Sequence, residues 1–254
     1  ASNGGAVASD VCSNVTWTNN FASVSDTCGA TGSASVIFTA TDACGNSSTT
    51  SATFTIIDDT DPTITTQAAN LEVQCDGSGN TAQLNAWLAS NGGAVASDVC
   101  SNVTWSNNFA SVSDTCGATG SATVTFTATD NCGNSSTTSA TFTIIDDTDP
   151  TITNQAANLE VQCDGSGNTT QLNAWLASNG GAVASDVCSN VTWSNNFASV
   201  SDTCGATGSA SVIFTATDAC GNSSTTSATF TIIDDTDPTI TTQAANLEVQ
   251  CDGA

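Results

Sequence analysis

The chain repeats itself every 88 residues, almost without change. Cys12, Cys100 and Cys188 are spaced this way, as are Trp17, Trp105 and Trp193, and Asp61, Asp149 and Asp237. Residues 62–149 and 150–237 differ at only five positions: Thr66/Asn154, Ala82/Thr170, Thr123/Ser211, Thr125/Ile213 and Asn131/Ala219. A unit of this length suits one small domain and is too long for a single solenoid rung. We therefore expect a partial repeat at 1–61 lacking its first strand and helix, complete repeats at 62–149 and 150–237, and the first strand of a further repeat at 238–254. Both chain ends fall mid-repeat. The expectation is a window on a longer chain, with any targeting or anchoring signal outside it.

The pattern inside one repeat sets the fold class. In "TITNQAANLEVQC" (151–163), Ile152, Leu159 and Val161 read as one broken strand. "GNTTQLNAWLASNGG" (167–181) is the one helical stretch, with Leu172, Trp175 and Leu176 on one stripe. Asn168 or Thr169 is placed to cap it, and Gly180-Gly181 to end it. Val191 and Trp193 share a face. Ala210, Val212, Phe214 and Ala216 alternate with Ser211, Ile213, Thr215 and Thr217, and Ala228, Phe230 and Ile232 return inward across a turn. The last two runs are a hairpin. Short Thr-rich strands of this kind predict an all-β chain of tandem immunoglobulin-like β-sandwiches, each with one short inserted helix and two disulfides. The Trp residues alternate with Val or lie on the helix stripe, so they are expected in the core.

There are twelve Cys, at matched positions in the repeats. With no CxxC pair and no His, zinc is the weaker reading and disulfides in an oxidising compartment the stronger. Cys204 and Cys220 flank a strand of about 33 Å, too long for them to bridge each other. Cys163 and Cys204 are expected at one end of the domain, Cys188 and Cys220 at the other. The expected bridges are Cys163–Cys204 and Cys188–Cys220, then Cys75–Cys116 and Cys100–Cys132, and Cys12–Cys44 in the partial repeat. Cys28 and Cys251 are expected to find partners outside this segment.

The net charge is −24, with no Lys, Arg or His. Binding to nucleic acid or an anionic membrane through charge is excluded, and no apolar run approaches a membrane span. The acid is concentrated where repeats join: Asp58, Asp59 and Asp61; Asp146, Asp147 and Asp149; Asp234, Asp235 and Asp237. Oxygen-rich clusters suit Ca2+. Loops of the following repeat can complete the shell, through Asp98 and Asp130 at the first joint and Asp186 and Asp218 at the second. The competing reading is a solvated turn before Pro. Without His, Lys, Arg or Tyr, acid–base catalysis lacks most of its partners, and the chain is not expected to be an enzyme. Asn14-Val-Thr16 and Asn46-Ser-Ser48 are glycosylation sequons whose use depends on the host.

"TVTFTATDNCGNSSTTSATFTIIDDTDPTI" (123–152) resembles the signature of hyalin-repeat (HYR) domains, and "LEVQCDGSGNTAQLNAWLASNGGAVASDVC" (71–100) the HYR-like variant. The resemblance extends over the whole chain. It implies immunoglobulin-like sandwiches in tandem within large secreted surface proteins of Bacteroidota, among them gliding-motility adhesins, often exported by the type IX route. Asp61, Asp149 and Asp237 depart from the family's usual Thr-Ala-Pro or Thr-Pro-Pro joint. The expected function is structural and adhesive: a segment of a long cell-surface adhesin stalk or extracellular filament. Its partners would be neighbouring repeats of the same or identical chains. Two alternatives are a multivalent glycan- or protein-binding array, and a donor-strand polymer in which 238–254 completes another chain's first repeat.

Overall fold

The computed structural model describes residues 2–252. Its elements are β1 (Thr16–Asn19), β2 (Gly32–Thr41), β3 (Ser47–Ile56), β4 (Thr63–Thr66), β5 (Leu71–Gln74), α1 (Thr81–Ala89), β6 (Val95–Ser97), β7 (Thr104–Asn107), β8 (Gly120–Thr129) and β9 (Ser135–Ile145). The same series then recurs: β10 (Thr151–Asn154), β11 (Leu159–Gln162), α2 (Thr169–Ala177), β12 (Val183–Ser185), β13 (Thr192–Asn195), β14 (Gly208–Thr217) and β15 (Ser223–Ile233). The chain forms two compact units, 1–146 and 147–254. Each is all-β apart from its short helices.

In the first unit a four-stranded sheet, β5-β9-β8-β7, is accompanied by the two-stranded sheet β4-β6. The β8–β9 hairpin runs the full length predicted, with Ala122 opposite Phe142 and Val124 opposite Ala140. Its inward side chains Val124, Phe126 and Phe142 are fully buried. Leu84 and Trp87 of α1 close over them, Trp87 meeting Phe126 edge-on at 5.3 Å between ring centroids. Trp87 Nε1–H donates to the Ala69 carbonyl at 3.0 Å, so the indole is buried with its polar end satisfied. The second unit repeats this with Val212, Phe214, Phe230, Leu172 and Trp175. Trp105 and Trp193 are half-buried against the same cores. Residues 1–61 contribute the three-stranded sheet β1-β2-β3.

Three local expectations are revised. The broken strand is two strands in two sheets: β10 pairs antiparallel with β12, whereas β11 pairs parallel with β15. Asn168 precedes α2 but does not cap it. It sits in the left-handed region (φ 51°) with no side-chain bond to the helix. Instead, fully buried, it donates Nδ2–H to the Gln162 carbonyl at 2.8 Å and accepts the Asp164 N–H at 3.2 Å. Nor does Gly180 end α2, whose C-cap is Ser178; it lies just beyond, inside the 3-10 turn Asn179–Gly181, at φ +65°. A Cβ there would meet Ala156, Phe214 and Trp175 at 3.1–3.3 Å. Residues 238–252 are exposed and carry no strand. No helix among the described residues is long and apolar enough to cross a membrane.

Among the described residues there are three disulfides, and they depart from two per repeat. Cys132 is bonded to Cys28, not to Cys100, which is a free thiol. Cys28 thus finds its partner within the segment. The reason is local: the Cys28–Thr31 turn lies against Cys100, with the Ala30 N–H donating to the Cys100 carbonyl at 2.8 Å. This brings Cys28 to a Cα–Cα distance of 5.2 Å from Cys132. Cys75, Cys116, Cys188 and Cys220 form the other two. The expected Cys12–Cys44 and Cys163–Cys204 bridges are open, since all four are thiols. Cys163 Sγ faces the Ala206 carbonyl at 3.8 Å, and Cys204 Sγ faces Thr207 Oγ1 at 3.3 Å. Cys12 and Cys44 are both exposed, as is the unbonded Cys251.

Candidate metal centre

Three carboxylates converge in the first unit from loops far apart in sequence. Asp58 follows β3, Asp98 follows β6, and Asp130 opens the β8–β9 turn. One oxygen from each lies within 4.8 Å of the others.

Each carboxylate is positioned by its own turn. Asp130 Oδ1 accepts the N–H groups of Cys132 (2.8 Å), Gly133 (2.6 Å) and Asn134 (2.9 Å), and its Oδ2 accepts Asn134 Nδ2–H at 2.8 Å. Asp98 Oδ1 accepts from the N–H groups of Cys100 and Ser101, both at 2.8 Å. Asp58 Oδ1 accepts the Thr60 N–H at 3.2 Å. Asp58 Oδ2 is buried and has no hydrogen-bond partner among the described residues. An orphaned buried carboxylate oxygen is costly, and this one belongs to a cluster of negative charge in a chain without cationic side chains.

The electrostatics show how closely the three act together. Burial pushes the Cys100 thiol up, and the charges of Asp58, Asp98 and Asp130 push it further the same way. For Asp130, burial raises the carboxyl, but the Asn134 side chain and the turn N–H groups outweigh it and hold the group below the ordinary value. Asp130 is therefore ionised although only 5% exposed. The donor set is all oxygen, spaced for one ion, and suits a hard divalent cation better than a transition metal.

Other predicted ligands do not join this trio. Asp59 is exposed. Asp61 Oδ1 accepts the Ser135 N–H at 3.1 Å and so ties the segment ahead of β4 to the start of β9. In the second unit Asp149 makes the matching bond to the Ser223 N–H at 3.0 Å. Asp186 accepts from Cys188 and Ser189 as Asp98 does from its own turn, and Asp218 accepts from Gly221 and Asn222. Asp146 closes the first unit, and Asp147 is exposed at the start of the second. Asp234 accepts the Thr236 N–H, Asp235 accepts from the Gln162 side chain, and Asp237 is exposed. Sequence reasoning missed Asn134, which joins Asp130 Oδ2 to the Asp58 carbonyl at 3.2 Å. The recurring Asp-x-Cys-Gly-Asn at 42–46, 130–134 and 218–222 was the available signal.

No family model and no curated protein match this chain. Among solved structures it is similar to mouse clustered PcdhgC3 EC1-3 (11% identity, TM-score 0.29, covering 82% of this chain and 79% of that one). It is also similar to the extracellular domain of protocadherin GammaB4 (15%, 0.29, 79% and 37%) and to Drosophila N-cadherin EC1-4 (11%, 0.26, 82% and 59%). At these scores the likeness carries neither fold nor function across. The chain spans about a third of the second structure and under two thirds of the third.

Proposed function

We propose that the chain is a structural, adhesive repeat segment of an extracellular cell-surface protein, in which Ca2+ fastens one repeat to the next. In this reading 62–149 and 150–237 are the repeats, with Cys75–Cys116 and Cys188–Cys220 as bridges inside them. The resemblance to hyalin-repeat domains supports an adhesin stalk or filament, and near-identity between copies supports a length-setting spacer. The absence of His, Lys, Arg and Tyr supports a non-catalytic role. The observation that carries the metal reading is the buried, unpartnered Asp58 Oδ2 beside Asp98 and Asp130. Ca2+ takes six to eight oxygens, and backbone carbonyls and water can supply those beyond the carboxylates.

The test is the melting temperature of the whole chain in chelator and in excess calcium, for the wild type and for Asp58→Asn. A ligand present at 100 times its Kd stabilises by about 2.7 kcal/mol. Calcium is expected to raise the wild-type melting temperature. Without calcium, Asp58→Asn is expected to match or exceed the wild type, because it removes a repelled buried charge. With calcium the order should reverse. If calcium leaves the wild type unmoved, the joint is a self-repelling hinge and the metal reading fails.

A further inference from the structure

β3 ends its sheet with its outer edge open. The strand order is β1-β2-β3, and no strand lies beyond β3 among the described residues. Phe54 on that strand is 59% exposed, whereas its counterparts Phe142 and Phe230 are fully buried. The counterparts are covered by a four-residue strand of one sequence, Leu-Glu-Val-Gln. As β5 it pairs parallel with β9, Leu71 opposite Phe142 and Val73 opposite Ile144. As β11 it pairs parallel with β15, Leu159 opposite Phe230 and Val161 opposite Ile232. A third Leu-Glu-Val-Gln stands at 247–250. It forms no strand, and its Leu247 and Val249 are 86% and 79% exposed. One chain thus carries both an uncovered edge, which invites pairing, and a spare copy of the strand that covers such an edge in both complete repeats.

The residues ahead of that strand match in the same way. Pro62 and Pro150 are fully buried. The Asp before each accepts the N–H that opens the following long strand, Asp61 from Ser135 and Asp149 from Ser223. Pro238, the third such proline, is exposed. In 1–61 the corresponding serine is Ser47, which lines a cavity of about 160 Å³ with Ala8, Asp42 and Asn46. Ile64 lies opposite Ala96 and Ile152 opposite Ala184. Ala8 holds that position in 1–61, and Ile240 is exposed.

We infer that segment 237–250 of one copy of this chain docks on residues 1–61 of a second copy, adding its Leu-Glu-Val-Gln parallel to β3. The two existing pairs set the register: Leu247 opposite Phe54, Glu248 opposite Thr55, Val249 opposite Ile56 and Gln250 opposite Ile57. Asp237 accepts the Ser47 N–H, Pro238 enters the cavity beside Asp42, and Ile240 meets Ala8. Strand addition supplies backbone hydrogen bonds along the edge, and the side-chain pockets select the sequence. The tail of one copy meets the edge of another, so the contact is heterologous and repeats from copy to copy, head to tail. It is built from backbone and apolar groups and stands whether or not a joint holds a metal.

The test is the mass of the whole chain by analytical ultracentrifugation, over a concentration series up to about 1 mM. Physiological ionic strength screens the repulsion between chains of charge −24. The mass is expected to rise with concentration through multiples of one chain. Two variants isolate the contact. Phe54→Asp spoils the edge, and Leu247→Asp combined with Val249→Asp spoils the tail. All three side chains are exposed in the single chain, so the melting temperature measured in dilute solution should not change. Each variant alone is expected to keep the mass of one chain. An equimolar mixture of the two should double it and go no further, because it holds one working tail and one working edge. The inference is overturned if the wild type keeps the mass of one chain throughout. Protection of the Leu247–Gln250 amides from exchange in that single chain would show the tail folded back on its own β3 instead. It is overturned equally if either variant associates as the wild type does, or if the mixture does not double.

Discussion

Asn80 shows how much one side chain can hold. It is fully buried before α1, in the left-handed region at φ 50°. Its Nδ2–H donates to the Gln74 carbonyl at 2.7 Å, its Oδ1 accepts the Asp76 N–H at 3.2 Å, and its own N–H reaches Asp76 Oδ1 at 3.0 Å. Asn tolerates that backbone region better than Ala does, and removing the amide would take the Asn80 side chain away from the Gln74 carbonyl and the Asp76 N–H. Asn80→Ala is therefore expected to cost about 3 kcal/mol, one part from the lost hydrogen bonds and a smaller part from the backbone. Urea unfolding is the measurement, with Asn80→Gly as the control that keeps only the first part. If the two variants lose the same stability, strain at this position is negligible. The spacing around Asn80 showed that a helix begins there. It did not show that the side chain points away from the helix, because the partner on Gln74 belongs to a strand.

At the scale of elements, the strands of the hairpins were legible because alternation is a local property. Phe126, Phe142 and Val124 declare their face by spacing alone. The division of "TITTQAANLEVQC" (63–75) between two sheets was not legible, because both halves carry the same alternation. What separates them is the segment Gln67–Asn70, held by long-range bonds. The Ala68 N–H donates to Thr138 Oγ1 at 3.1 Å, and Asn70 Oδ1 accepts the Thr141 N–H at 2.9 Å. These fix where the chain leaves β4 and where β5 joins β9. Thr138 is only 6% exposed, so Thr138→Val should leave the Ala68 N–H unpaired at nearly constant volume. The expected cost is about 1–3 kcal/mol. Hydrogen exchange at Ala68 and Ala69 should quicken more than at β8. Uniform acceleration through both strands would mean that the bond supports global stability rather than the crossing. The candidate metal centre was half legible for the same reason. The three loops were identified from their carboxylates, but which of the acids at the Asp58–Asp61 joint turns inward depends on contacts from 40 and 70 residues away.

For the whole molecule the decisive fact is a charge of −24 with no His. No side chain of ordinary pKa changes charge between about pH 5 and 8, so stability should be level across that range. Acid is different. Asp76 is held below its ordinary value of 3.8 by the N–H of Asn80, then by Ser78. Asp164 is lowered by Ser166 and Asn168, and Asp42 by the Asn46 side chain. In Asp130 and Asp218 burial acts upward and is outweighed by Asn134 and Asn222. A carboxyl lowered on folding stabilises fully above its unfolded pKa and loses that contribution as pH falls through the folded value. The window therefore lies below about pH 3.8 for all five. Protonation also relieves the general repulsion, which opposes the loss, so the overall acid midpoint cannot isolate the turns. A paired comparison can. Asp76→Asn removes one lowered carboxylate and keeps the shape, so its deficit in melting temperature against the wild type should be full at pH 6 and shrink towards pH 2.5. A deficit that stayed constant over that range would mean that Asp76 stabilises its turn by geometry alone.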